Sequence, residues 1–144
     1  MTTKPGCRNS RVVVDSSALV SIILREPDED GFARAMLAAA SVHMSAANWV
    51  EAAILLDSRR LRDGHIRLED VIDRFRIEIV PVTAEIAARA RSAHQRFGRG
   101  NHPARLNYGD CFAYATASHL GEPLLFKGGD FSQTDIPSAL PVTA

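Results

Sequence analysis

Four carboxylates stand where strands end or helices begin. Asp15 closes the run Val12-Val13-Val14. Glu51 lies about a turn into the helix that follows the second strand. Asp110 opens another helix, and Asp130 follows Gly128-Gly129 after the fourth strand. In open α/β sheets ligands bind outside the carboxyl ends of strands, and right-handed crossovers bring strand-end acids to one rim. Carboxylates ~6 Å apart repel by about 3 kcal/mol per ionised pair at an effective dielectric of about 20. No lysine or arginine is adjacent to Asp15 or Asp110 to offset this. Such a group either takes up protons or holds a divalent cation, and all-oxygen ligands suit Mg²⁺ or Mn²⁺ rather than zinc. Each acid also has a plainer reading. Asp15 can cap a helix, and Asp110 sits in a first turn, where the helix dipole favours an anion. Spacing alone leaves both readings open.

The elements that must position these acids follow from pattern. The β-branched valines before Asp15 suit a strand buried on both faces, at about residues 11–14. Ser16 and Ser17 precede an apolar stretch, a helix N-cap signal, so a helix is expected over about 17–25. Pro27 and the acids Asp28, Glu29 and Asp30 start a second helix. Val42 to Ser45 is a short strand, with His43 a strand-end or core residue. A helix over about 46–62 carries Glu51, with Ala47, Val50, Ile54 and Leu61 as its apolar positions and Trp49 as core or an interface anchor; Gly64 ends it. A helix over about 68–76 turns Val71, Ile72 and Phe75 inward. Strand three covers about 77–82. Thr83 caps the next helix, which ends near Gly98. Asn107-Tyr108-Gly109-Asp110 opens a helix that stops at Gly121, and Pro123 to Phe126 is strand four. An edge strand near 138–142 completes the pattern. Strand–helix alternation of this kind implies βαβ units, a mainly parallel sheet of four to five strands and a three-layer α/β/α domain. Residues 1–10 read as a loose tail, and residues 11–144 as one domain. Leu55, Leu56, Leu61 and Phe75 suit core, with a dimer face as the alternative.

Composition excludes several classes. The chain has 144 residues, 46% hydrophobic and 24% charged, with no net charge, which is ordinary globular composition. No apolar run approaches the ~20 residues of a membrane span, and no signal peptide is evident. Cys7 and Cys111 have no metal-ligand or CxxC spacing, which points to a reducing cytoplasm. Charge is nonetheless uneven. Between Glu85 and Asp110 there is no acid, but there are Arg89, Arg91, Arg96, Arg99 and Arg105, with His94 and His102. This strip is either a solvated face or a contact for phosphates, which guanidinium binds bidentately.

Together, Val-Val-Val-Asp15-Ser-Ser17-Ala-Leu, Glu51 within a helix, Asn107-Tyr-Gly-Asp110 and Gly129-Asp130-Phe131 resemble the PIN-domain family, and within it the VapC-type toxins of toxin–antitoxin pairs. The resemblance covers about residues 11–135. It implies a PIN-like α/β/α fold and a Mg²⁺- or Mn²⁺-dependent endoribonuclease that is often a homodimer and is neutralised by a cognate antitoxin. Position by position it maps the acidic quartet onto Asp15, Glu51, Asp110 and Asp130. Ser17 becomes the hydroxyl beside the first aspartate, and Asn107 a supporting residue. On this reading Asp15 and Asp110 hold the main ion, while Glu51 and Asp130 act directly or through water. Many relatives carry Thr and an earlier Asp in the turn where this chain has Phe126 and Gly128, so Asp135 is a possible substitute for Asp130. Aspartyl phosphoryl transfer loses ground, because its second acid would fall at Ser17. A PIN-like RNA- or protein-binding module with little catalysis is the non-enzymatic alternative.

Overall fold

A computed structural model describes residues 10–58 and 67–140. The three valines of β1 (Arg11–Val14) alternate between two apolar clusters: Val12 and Val14 enter one, Val13 the other. A strand with both faces covered requires helices on both sides. On the Val12 side lie α1 (Ser16–Ile23), α2 (Glu29–Ala38), α3 (Ala46–Ser58) and α4 (Leu68–Arg74). On the Val13 side lie α5 (Ala84–Phe97) and α6 (Tyr108–Leu120). With β2 (Ser41–Ser45), β3 (Ile77–Val80) and β4 (Leu124–Leu125), β1 forms a four-stranded, wholly parallel sheet of order β3-β2-β1-β4. The expected three-layer α/β/α architecture is present. Among the described helices none is long and apolar enough to cross a membrane.

Several local expectations are corrected. The N-cap of α1 is Asp15, not a serine: its carboxylate accepts from the Ser17 N–H at 3.1 Å. β3 stops at Val80 because Pro81 has no N–H to continue the ladder. β4 is only Leu124–Leu125, and among the described residues the edge strand expected near 138–142 shows one parallel bridge, at Ser138, its last positions lying outside them. There the Leu124 N–H donates to the Pro137 carbonyl at 2.9 Å, so this segment covers the outer edge of β4. The largest change is in α3. Its buried positions are Asn48, Ala52 and Leu56, whereas Val50 and Ile54 are 45% and 63% exposed. Trp49 is partly exposed, Phe75 is core, and His43 sits at the sheet between two glutamates. Leu61, Gly64, Cys7 and the tail expected over residues 1–10, apart from Ser10, lie outside the described residues.

Other signals hold. Thr83 caps α5 by accepting from the Ile86 N–H, and Gly121 ends α6 at φ 68, in the left-handed region that glycine enters without strain.

Candidate active site

The carboxyl end of β1 is the centre of the site. Asp15 is only 3% exposed. Its Oδ2 accepts from both the Ser17 N–H, at 3.1 Å, and the Ser17 hydroxyl, at 2.5 Å. Ser17 Oγ in turn accepts from the Lys127 N–H at 3.0 Å, tying β1 to the chain leaving β4. The other oxygen, Oδ1, is buried with no hydrogen-bond partner. Asp15 is thus cap and cleft acid at once, since one oxygen serves the helix and the other is free.

Asp110 arrives from the start of α6. Asn107 and Asp110 form a reciprocal capping box: the Asp110 N–H donates to Asn107 Oδ1 at 2.8 Å, and the Asn107 N–H donates to Asp110 Oδ2 at 3.0 Å. Glu51 comes from α3, where the Ser16 hydroxyl donates to its Oε1 at 2.5 Å and Asn48 Nδ2 does so at 3.3 Å. Asn48 Nδ2 also donates to the Gly109 carbonyl at 2.9 Å, so one buried amide joins α3 to α6. Gly109 is what lets Glu51 in, because a Cβ built there would overlap the Glu51 carboxylate.

Asp15, Glu51 and Asp110 line one cleft of about 460 Å³, with Ser17 and Asn107. Burial pushes the Asp15 carboxyl up to about 7, against the lowering effect of Ser17, and the charges of Asp110 and Glu51 push the same way. Burial likewise pushes Asp110 up to about 6, with Asp130 and Glu51 adding repulsion. The one lysine lining the cleft, Lys127, is paired with Glu26 at 3.2 Å and Asp28 at 3.3 Å rather than with Asp15 or Asp110. A divalent cation fits this donor set: the orphaned Asp15 oxygen and the mutually repelling acids are all hard oxygen ligands. Among the described residues no three His, Cys, Asp or Glu side chains close around one position.

Asp130 is exposed at the rim, near enough for its charge to raise Asp110 but not lining the cleft. Asp135 lies elsewhere. It accepts from Arg96 at 3.2 Å and from the Tyr114 hydroxyl, so it does not stand in for Asp130. The arginines do not form one strip. Arg89 donates to Ser118 at 3.4 Å and pairs with Glu85, while Arg96 pairs with Asp135 and stacks over Phe97. Arg91 instead lines a groove with His94 and Tyr108, and Arg99 and Arg105 are exposed on the loop before α6. Ser16, Asn48, Gly109 and Lys127 were missed from the sequence. Asn48 had a signal: it precedes Glu51 by three residues, on the same helix face.

Comparison with known proteins bears on the family and the fold. The PIN domain family model matches residues 12–137. Ribonuclease VapC30 of Mycobacterium tuberculosis is 43% identical over 131 residues, which is 90% of this chain and 100% of the relative. Among solved structures, M. tuberculosis VapC20, described as a Sarcin-Ricin loop cleaving toxin, superposes with a TM-score of 0.69 at 20% identity, covering 90% of this chain and 99% of that one. A chain from a toxin–antitoxin complex of Klebsiella pneumoniae superposes with a TM-score of 0.60 at 17% identity, covering 86% and 92%. A family model spanning nearly the whole sheet and helices, with a full-length relative at this identity, places the chain in the PIN-domain family, among its VapC ribonucleases.

Proposed function

We infer that this chain is a metal-dependent endoribonuclease that hydrolyses RNA phosphodiester bonds and is the toxin of a toxin–antitoxin pair. The observation that carries the reading is the buried Asp15 carboxylate, with one oxygen unpartnered, in a cleft shared with Glu51 and Asp110. Mg²⁺ is the expected ion, with Mn²⁺ as a substitute. Bound by Asp15 and Asp110, it supplies Lewis-acid stabilisation of phosphate charge and a more acidic water at neutral pH.

The chain's own residues do the rest. Ser17 fixes one Asp15 oxygen so that the other faces its ligand in a single orientation. The Asn107 N–H does the same for Asp110. Glu51, held by Ser16 and Asn48, is placed to orient a water or accept its proton. Asp130, at the rim, acts through water. Arg91, Arg99 and Arg105 are the backbone contacts most open to RNA, because Arg89 and Arg96 already have acidic partners.

The test is cleavage of total RNA with Mg²⁺ or Mn²⁺ and with EDTA, using Asp15→Asn and Asp110→Asn as controls. Folded variants that cleave at the wild-type rate, with no effect of EDTA, would sink the reading.

Two partners follow from the same reading. An antitoxin that inserts a cationic side chain among these acids would replace the metal's charge. A small protein encoded beside this chain should co-purify with it and relieve growth arrest; failure of both counts against the pairing. The second partner is another copy of this chain in a homodimer. Val50 and Ile54 leave an apolar stripe on α3, and light scattering of Ile54→Lys against wild type reads the result. The site of action is the cytoplasm, where the RNA is.

A further inference from the structure

The first turn of α6 borders two hollows. Asn107 and Asp110 line the acidic cleft, whereas Tyr108 and Phe112 line a second hollow of about 320 Å³ between α5 and α6. From α5 this groove receives the small side chains Ala87 and Ala90 and the cationic or polar Arg91 and His94. Tyr108 is 78% exposed, the most exposed large hydrophobic side chain among the described residues. Its ring is held at 4.8 Å from Phe112, at 71°, which steadies it while leaving most of its surface open. Of the three α5 arginines, Arg91 is the one with no ion pair among the described residues.

An aromatic ring exposed two residues from Asp110, an apolar trough and an unneutralised guanidinium match the chemistry of a single-stranded nucleotide: a base to stack and a phosphate to pair. We propose that the α5–α6 groove is a base-binding subsite. In it Tyr108 stacks one unpaired nucleobase next to the cleaved bond, and Arg91 contacts the adjoining phosphate. This rests on the ribonuclease reading above and adds to it a determinant of which nucleotide sits beside the scissile phosphate. The volume holds one base rather than a duplex, at the low end of the ~300–1,000 Å³ typical of small-ligand sites. Continuity through one helical turn fixes its distance from the acids, so the stacked base sets the register of cleavage.

The experiment uses the full chain and a ten-nucleotide RNA spanning a cleavage position mapped on total RNA. Tyr108→Ala lowers kcat/KM by about tenfold to a hundredfold, the usual worth of one base–aromatic stack. Tyr108→Phe and Tyr108→Trp keep it, and the Mg²⁺ concentration for half-maximal activity does not move. Replacing the flanking bases one at a time by abasic nucleotides costs wild type the same factor at one position and costs Tyr108→Ala nothing more there. Arg91→Ala raises KM and flattens the salt dependence by about one phosphate contact. Losses that multiply at every position, or Tyr108→Ala cleaving at the wild-type rate, overturn the proposal. So does normal cleavage with lost antitoxin binding, which would make the groove a protein-docking surface. If wild type itself cuts no RNA in Mg²⁺ or Mn²⁺, the ribonuclease reading falls first and this inference with it.

Discussion

Two carboxylates are buried beside the same sheet and are treated in opposite ways. Glu122, 7% exposed, lies 2.9 Å from His43 Nδ1, and His43 Nε2 lies 3.2 Å from Glu78 on β3. That acid has a basic partner, and the partner bridges two chain segments. Asp15, 3% exposed, has two other acids for neighbours and an oxygen with no partner at all. An uncompensated buried charge costs several kcal/mol, and chains ordinarily pair it or neutralise it. One molecule doing both shows that the Asp15 cluster is unsatisfied by arrangement rather than by want of cations. Lys127 is at the cleft wall and is turned toward Glu26 and Asp28.

The sharpest way to break the comparison is to remove the charge at Asp15. Asp15→Asn should lower RNA cleavage on the order of 10³-fold, the scale of losing a group that stabilises transition-state charge. Its thermal midpoint without metal should hold or rise at neutral pH, because a repelled buried charge is gone. A fall in both would mean that Asp15 is structural, like Glu122.

Next is Gly109→Ala. The added methyl occupies the space of the Glu51 carboxylate and forces it aside, while Asp15 and Asp110 stay. Displacement of this size typically costs about 10²-fold in rate. Substrate KM should change little, and crystal density for the variant should show Glu51 moved. Unchanged cleavage would remove Glu51 from the proposed machinery.

How much of this was readable beforehand depended on whether a signal was local. The valine run ending at Asp15 and the helix start at Asn107–Asp110 declare themselves within a few residues, and both were legible. Gly109 was not, since its need for a bare Cα comes from Glu51, fifty-eight positions away in the chain. The α3 face was misread for a physical reason. Its buried stripe is Asn48, Ala52 and Leu56, weakly apolar, while the more apolar Val50 and Ile54 face outward. A hydrophobic pattern finds a core only when the core is the more hydrophobic side. The arginines looked like one strip because composition ignores helical phase. Arg89 and Arg96, seven apart, share a face toward α6, whereas Arg91 and His94, three apart, share another.

A smaller effect sharpens the contrast through pH. Asp15 and Asp110 have folded-state values raised from 3.8 to about 7 and about 6, so the folded chain holds more protons than the unfolded one between these limits. Stability without metal is therefore full below the unfolded value and is lost as pH rises through about 6 to 7, by a few kcal/mol at about 1.4 kcal/mol per unit. A divalent ion needs the deprotonated acids, so its stabilising effect should grow over the same interval. Thermal melts across pH, with and without Mg²⁺, check both signs. Asp15→Asn should flatten the metal-free slope.

The smallest effect on function comes from the other buried acid. Glu122→Gln keeps the shape and one possible hydrogen bond but removes the charge beside His43, leaving Glu78 as that ring's acidic neighbour. Breaking one member of a buried hydrogen-bonded pair typically costs about 1–3 kcal/mol. Glu78 is 73% exposed and screened by water, so it compensates little. Urea denaturation should show this loss at neutral pH, while kcat/KM per folded molecule and the Mg²⁺ requirement stay at wild-type values. The metal-free slope of stability against pH should also persist, because it belongs to Asp15 and Asp110. If Glu122→Gln instead lowered cleavage without lowering stability, the two acids would have exchanged the roles their neighbours assign them.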